Sequence, residues 1–295
     1  MINILVLGGT GMLGHEFIKA LINYKNFNIT ATSRDLKNKF ISNTKKKIKW
    51  IHLDVETIKI KNLKKIIYNQ HYIINCIGLI KPYIKENSLK DFKRALKINS
   101  IFPAELNESM NKSNCKIFQI ATDCVFSGSK GNYNEKNLHD AFDVYGKSKS
   151  LGEINNKNFF NIRCSIIGPE LKNFNSLYEW FKKSSQNSEL SGFINHQWNG
   201  LTTKAYAYAV IAIIIKKIHI PNLIHLIPAD KLNKFEIIQS FKSKLNREDI
   251  KIKKVISSVK INRTLSTLYK KENYKIWKNS IYKKAPSIQK LILEM

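Results

Sequence analysis

Short unbroken apolar runs alternate along this chain with segments whose apolar residues recur at helical spacing. That alternation predicts an α/β fold before any motif is considered. Ile4-Leu5-Val6-Leu7 reads as a buried parallel strand, and Phe17, Ile18, Leu21 and Ile22 then mark one face of a helix. Further strands are predicted at Asn28–Thr32, Lys49–Leu53, Tyr72–Asn75 and Lys116–Ala121, with helices across Phe92–Asn99 and from Pro103 onward. This is the rhythm of a doubly wound parallel sheet, the Rossmann architecture, over residues 1–164. After Arg163 the pattern loosens. Residues 165–295 are expected to form a smaller C-terminal substrate-binding domain that partly returns strands to the main sheet. Within it, Trp180 and Phe181 lie on a predicted helix, residues 192–203 on a predicted loop, Leu223–Ile227 on a strand and Phe235–Leu245 on an amphipathic helix.

Chemistry enters at the strand ends. Between the first strand and its helix lie Gly9-x-Gly11-x-x-Gly14 and the overlapping Gly8-x-x-Gly11-x-x-Gly14. Glycines there permit a tight turn and let backbone N–H groups approach a pyrophosphate. Gly8, Thr10, Gly11, Met12, Leu13 and Gly14 are therefore candidate cofactor contacts. The second strand ends at Thr32-Ser33-Arg34, donors suited to a 2′-phosphate, so NADP(H) is favoured; Asp35, one residue on, keeps NAD(H) open. Asp54-Val55 closes the third strand with a carboxylate that either reaches an adenine amine or caps a turn. Cys76-Ile77-Gly78 leaves the fourth strand where backbone would run beside a dinucleotide. Thr122-Asp123 ends the fifth, at the edge where open α/β sheets bind ligands. Tyr145 and Lys149, four apart, share a helical face, where an ammonium would lower the pKa of a phenol from near 10.

The glycine turn, Asn75-Cys-Ile-Gly78, Ile98-Asn99, Thr122-Asp-Cys-Val-Phe-Ser-Gly128, Tyr133-x-Glu135 and Tyr145-x-x-x-Lys149 together resemble the extended short-chain dehydrogenase/reductases. Within them, the branch is that of the dTDP-4-dehydrorhamnose reductase-like sugar-nucleotide reductases. The resemblance is dense up to about residue 170 and weaker at Gln197-Trp-Asn-Gly-Leu-Thr202 and Arg263-Thr-Leu-Ser266. It implies a catalytic triad of Thr122, Tyr145 and Lys149, with Asn99 shaping the site, and NADPH-dependent reduction of the 4-keto group of a nucleotide-linked deoxysugar for surface polysaccharide synthesis. It also implies substrate contacts at Asp123, Cys124, Val125, Gln197, Trp198 and Asn199; Arg263 is a candidate either for the substrate diphosphate or for a surface salt bridge. Cys124 stands where the rhamnose-pathway enzymes carry tyrosine, so a UDP-linked sugar is an alternative to a dTDP-linked one. Other readings are an epimerase or dehydratase on the same fold, and a non-catalytic NADP-binding regulatory subunit.

The chain has 295 residues, 43% of them hydrophobic, enough for a substantial core. Its net charge of +28 would fit a nucleic-acid partner, but lysine dominates, the runs are scattered and no aromatic–basic stripe appears. Lysine, asparagine and isoleucine rise together, as an AT-rich genome would produce, so no nucleic acid is expected. A general positive field still attracts an anionic sugar nucleotide. The most apolar run, Ala205–Ile215, spans about 11 residues and is too short for a membrane span. The first strand begins almost at Met1, so a cytoplasmic location without a signal peptide is expected. Cys76, Cys115, Cys124 and Cys164 form no metal-like spacing and the histidines are dispersed, so no metal site is expected. A homodimer is left open.

Overall fold

The computed structural model describes residues 1–110 and 114–295. In chain order its first elements are β1 (Ile2–Leu7), α1 (Gly14–Leu21), β2 (Phe27–Ser33), α2 (Lys39–Thr44), β3 (Lys49–His52) and α3 (Ile60–Ile67). Then come β4 (Tyr72–Asn75), α4 (Leu89–Leu96), α5 (Phe102–Ser109), β5 (Lys116–Ala121), α6 (Val144–Leu151) and β6 (Phe159–Arg163). The later elements are β7 (Ile166–Ile167), α7 (Leu177–Lys182), β8 (Glu189–Phe193), β9 (His196–Trp198), β10 (Leu201–Thr202), α8 (Thr203–Lys216) and β11 (Leu223–His225). The last are β12 (Leu232–Asn233), α9 (Lys234–Leu245), β13 (Lys251–Val255), β14 (Ile261–Asn262), α10 (Lys270–Asn279) and α11 (Ile288–Leu293).

Seven strands form one sheet in the order β11-β6-β5-β4-β1-β2-β3, flanked by helices. Its pairs β1–β2, β1–β4, β2–β3 and β4–β5 are parallel. Ile4, Leu5, Val6 and Leu7 are all fully buried, which is why β1 reads as an unbroken apolar run: both faces of the sheet are covered. One side of the core gathers Leu5, Leu7, Leu63, Phe102, Leu106 and Phe159. The doubly wound parallel sheet expected from the sequence is therefore present.

Two compact units result. The first comprises residues 1–125, 141–162 and 220–224; the second comprises 126–140, 163–219 and 225–295. Each borrows from beyond a single cut near residue 164: segment 126–140 groups with the later residues, and 220–224 with the earlier ones. The second unit has its own core of Tyr178, Phe181, Ile237, Phe241, Ile250 and Ile292. It carries the small sheets β10–β7, β12-β9-β14 and β13–β8. Residues 192–203, expected to be a loop, instead supply β9, β10 and the end of β8, because short stretches there pair with partners distant in sequence such as β13 and β14. The apolar run Ala205–Ile215 is the buried helix α8, and no helix of the described residues is long and apolar enough to cross a membrane.

One local departure bears on the site. The helix predicted across Phe92–Asn99 is α4 followed by a π-helical turn, Lys97–Ile101, that leads into α5. Pro103 lacks the N–H that an α-helix would direct to the Asn99 carbonyl, so the ladder is interrupted there.

Candidate active site

The glycine turn is built by steric demand. Gly8 has φ +75°, and a side chain on it would come 2.9 Å from Ile77 Cγ1. A Cβ on Gly14 would collide with the Gly8 carbonyl, so α1 packs against the turn only with glycine at its start. Gly11 N–H donates to Gly8 O (2.9 Å), closing the turn. The end of β2 fastens it: Gly8 N–H donates to Thr32 Oγ1 (3.0 Å), Gly9 N–H to Thr32 O (2.8 Å), and the Thr10 and Ser33 hydroxyls lie 3.0 Å apart. α1 starts at Leu13 without a side-chain cap. Its first-turn N–H groups are thus a fitting place for a dinucleotide pyrophosphate.

The residues expected to read the adenosine end divide sharply. Ser33 is 3% exposed, and its hydroxyl donates to Asp35 O (2.9 Å), bracing the turn. Arg34 is exposed, 3.8 Å from a Glu56 carboxylate that Arg94 already holds at 3.0 Å through two N–H groups. Asp35 Oδ1 accepts from Lys37 N–H, and Asp54 Oδ1 from Glu56 N–H (3.0 Å), so both carboxylates shape turns. Val55 is buried, and Cys76 and Ile77 are half-buried beside the glycine turn.

Thr122, Tyr145 and Lys149 come together at the end of β5. Asp143 caps α6 by accepting from Gly146 N–H (2.7 Å), and Gly146 lets the helix lie against the Cys124 carbonyl, where any side chain would collide. The Tyr145 phenol is thereby brought beside Thr122, whose Oγ1 receives Cys124 N–H (3.2 Å) and donates to Asp123 Oδ1 (3.3 Å). Lys149, one turn along α6, is buried and donates from Nζ to Ile120 O (2.9 Å).

The electrostatics differ from the sequence expectation. Burial, then the neighbouring Cys124, push the Tyr145 phenol up, and the Thr122 hydrogen bond only partly offsets this. Burial pulls Lys149 down to about 8. Lys149 gives one N–H to a backbone carbonyl, and the net push on the Tyr145 phenol is upward, opposite to the expected lowering. A protonated tyrosine beside a hydroxyl donor is set up to give a proton.

Asn99 serves as a clamp. Its amide oxygen accepts from Leu79 N–H (2.8 Å), and its NH₂ donates to Leu79 O and Ser148 Oγ (both 3.0 Å), fixing the loop after β4 to α6. Sequence reasoning missed the residues behind it. Ser148 is one; another is Gln119, which accepts from Asn75 Nδ2 (2.9 Å) and donates to Gly152 O (2.6 Å). The available signal was a glutamine inside an otherwise apolar strand. His15 and Glu16 were missed too. Although burial opposes ionisation, hydrogen bonds from His15 and Lys19 hold the Glu16 carboxyl down at about 2, behind the glycine turn.

The remaining candidates vary. Asp123 is buried and Cys124 half-buried beside Thr122, and Val125 is fully buried. In the second unit Asn199 exchanges both amide hydrogen bonds with the Leu265 backbone (2.7 and 2.8 Å), a structural commitment. Gln197 and Trp198 sit on β9, and Arg263 follows β14 with Nε donating to Phe126 O (2.9 Å). Among the described residues no group of three or more His, Cys, Asp or Glu side chains could hold a metal ion.

The family model for the RmlD substrate binding domain matches residues 2–266. A dTDP-4-dehydrorhamnose reductase structure from Clostridium acetobutylicum is 20% identical, with 99% of this chain and 98% of that chain covered at a TM-score of 0.71. Another from Bacillus anthracis, in complex with NADP, is 17% identical, with coverage of 100% and 98% and a TM-score of 0.72. A UDP-glucuronic acid 4-epimerase from Bacillus cereus, in complex with UDP-glucuronic acid and NAD, is 16% identical, with coverage of 99% and 96% and a TM-score of 0.78. At these identities the likeness is one of fold. No curated protein matches the chain in sequence.

Proposed function

The chain belongs to the RmlD substrate-binding-domain family of extended short-chain dehydrogenase/reductases, and we propose that it is an NADPH-dependent reductase of the 4-keto group of a nucleotide-linked deoxysugar. The observation that carries this reading is the placing of Thr122 beside Tyr145, with buried Lys149 on the same helix as the tyrosine. The glycine turn and the uncapped start of α1 would hold the cofactor pyrophosphate, Arg34 a 2′-phosphate, and Lys149 the hydroxyls of a ribose. The cofactor, when bound, supplies the hydride. The protein must then stabilise the alkoxide that forms on the sugar: Thr122, its hydroxyl turned from Asp123 to the substrate, donates a hydrogen bond to that oxygen and Tyr145 delivers the proton. A phenol pushed up by burial stays protonated at neutral pH, which suits reduction over the reverse oxidation.

Asp123 and Cys124, beside Thr122, are proposed substrate contacts. We place the reaction in the cytoplasm, in the supply of sugars for surface polysaccharide. The similarity in fold to a 4-epimerase keeps that chemistry as the second reading.

The test is NADPH oxidation, followed by absorbance, with dTDP- and UDP-linked 4-keto-6-deoxy sugars. Tyr145→Phe should lose roughly 10²–10⁴-fold in turnover while NADPH affinity changes by less than about threefold. Turnover unaffected by this substitution would refute the assignment of Tyr145. Interconversion of sugars without net consumption of NADPH would select the epimerase.

A further inference from the structure

We infer that Lys234, so far outside the site, joins Arg263 to form a two-cation subsite for the diphosphate of the nucleotide-linked substrate. The inference rests on the sugar-nucleotide reading above and adds to it a residue that sequence reasoning did not single out.

Strand register brings the two cations together. β9 lies between β12, which is antiparallel to it, and β14, which is parallel, and Gln197 pairs with both Asn233 and Asn262. Lys234 opens α9 directly after Asn233, and Arg263 directly follows Asn262, so the two cations leave the sheet from either side of Gln197. The contacts agree: Lys234 Nζ lies 6.0 Å from the centre of the Phe193 ring, which packs 4.7 Å from His196.

Both side chains are half-buried, and among the described residues neither has a carboxylate within ion-pair distance. Arg263 commits only Nε, to the Phe126 carbonyl, and its stem packs so closely on Gly128 that a side chain there would come 2.9 Å from Arg263 Cγ. Its two terminal amino groups are left for another acceptor. Burial, and after it the Arg263 cation, make Lys234 hold its proton less firmly than an ordinary lysine.

Two partly desolvated like charges destabilise each other until an anion bridges them. A diphosphate matches them in charge and in number of acceptors: the guanidinium offers a planar pair of N–H donors to one phosphate, and the ammonium a point charge to the other. A single carboxylate would leave one cation unmatched.

The experiment uses the full-length protein saturated with NADPH, so that the cofactor's own pyrophosphate is already accommodated. Calorimetry would measure binding of dTDP, dTMP, UDP and UMP. Wild type should bind at least one diphosphate ten or more times tighter than its monophosphate. Lys234→Gln should weaken that diphosphate on the order of ten- to a hundredfold, and the monophosphate less than threefold. Lys234→Arg should restore most of the affinity, and neutralising the exposed neighbour in Lys231→Gln should change little. With a turned-over substrate, Lys234→Gln should raise KM and leave kcat within about threefold. The subsite is refuted if neither diphosphate outbinds its monophosphate, if Lys234→Gln binds like wild type, or if Lys231→Gln weakens binding equally. Lys234-dependent diphosphate binding without turnover of any keto sugar sinks the reductase reading alone; turnover without that dependence sinks the subsite alone.

Discussion

Two buried cations in this protein obey the same electrostatics and come out opposite. Lys149 in the first unit and Arg163 in the second are both removed from water, at 6% and 0% exposure. Lys149 donates to one backbone carbonyl, and burial brings it to about 8, close to giving up its charge. Arg163 donates to Nε2 of His225 and of His139, both at 2.7 Å, and lies 5.1 Å from the centre of the Phe126 ring. Burial, then the Arg163 charge, hold His225 neutral down to about 4, and its Nδ1 is turned to Ser266 O (2.8 Å), so Nε2 stays an acceptor. A cation with many partners is a fixture; a cation with one is poised to change. The difference in partners, not in depth, separates the chemical site from the structural one.

The most severe test of that contrast is Lys149→Met. Turnover should fall by a hundredfold or more, and yet stability should rise by up to about 3 kcal/mol, because a cation whose pKa is depressed by burial costs the folded state at pH 7. Chemical denaturation beside the NADPH assay measures both; a variant less stable than wild type would show that the lysine is structural after all. Arg163→Met should do the reverse. Two histidine acceptors would lose their donor, at a cost of about 3 kcal/mol seen as a lower melting temperature, with turnover per folded molecule largely kept.

The smallest effect is in pH. Lys149 is charged below about 8 and neutral above, so reductive kcat should hold from pH 6 to 7 and fall by up to about tenfold through pH 9. In Lys149→Arg, whose cation does not titrate in this range, the fall near 8 should vanish from the kcat profile.

The parallel sheet was legible because β1, β4 and β5 are mainly apolar and run into Gly8, Asn75 and Thr122, and the triad because Tyr145 and Lys149 stand four apart behind Thr122. What escaped depended on contacts made far along the chain. Residues 192–203 look like loop, since their strands are short and pair with β12, β13 and β14, which come tens of residues later. Lys234 is one lysine among many until register places it by Arg263. Glu135, part of the motif that carried the family resemblance, turns out to accept from His225 N–H (2.8 Å), Thr267 Oγ1 (2.6 Å) and Leu268 N–H (2.9 Å), a brace within the second unit that no local spacing reveals. Ser33 and Val55 are both buried, and a position at a strand end does not say whether a side chain turns in or out.

The π-helical turn at Lys97–Ile101 amounts to one residue spliced into a helix. Deleting a single residue within it would turn α5 by about 100° relative to α4, while Pro103 would still leave one carbonyl of the ladder without an N–H. Phe102 and Leu106, now fully buried, would swing away from the core, and Asn99 would lose its reach to Leu79 and Ser148. The segment is thus a phase adjuster: it lets one helix satisfy the packing of its second half and the aim of one amide in its middle, two demands that a uniform 3.6-residue repeat cannot meet together.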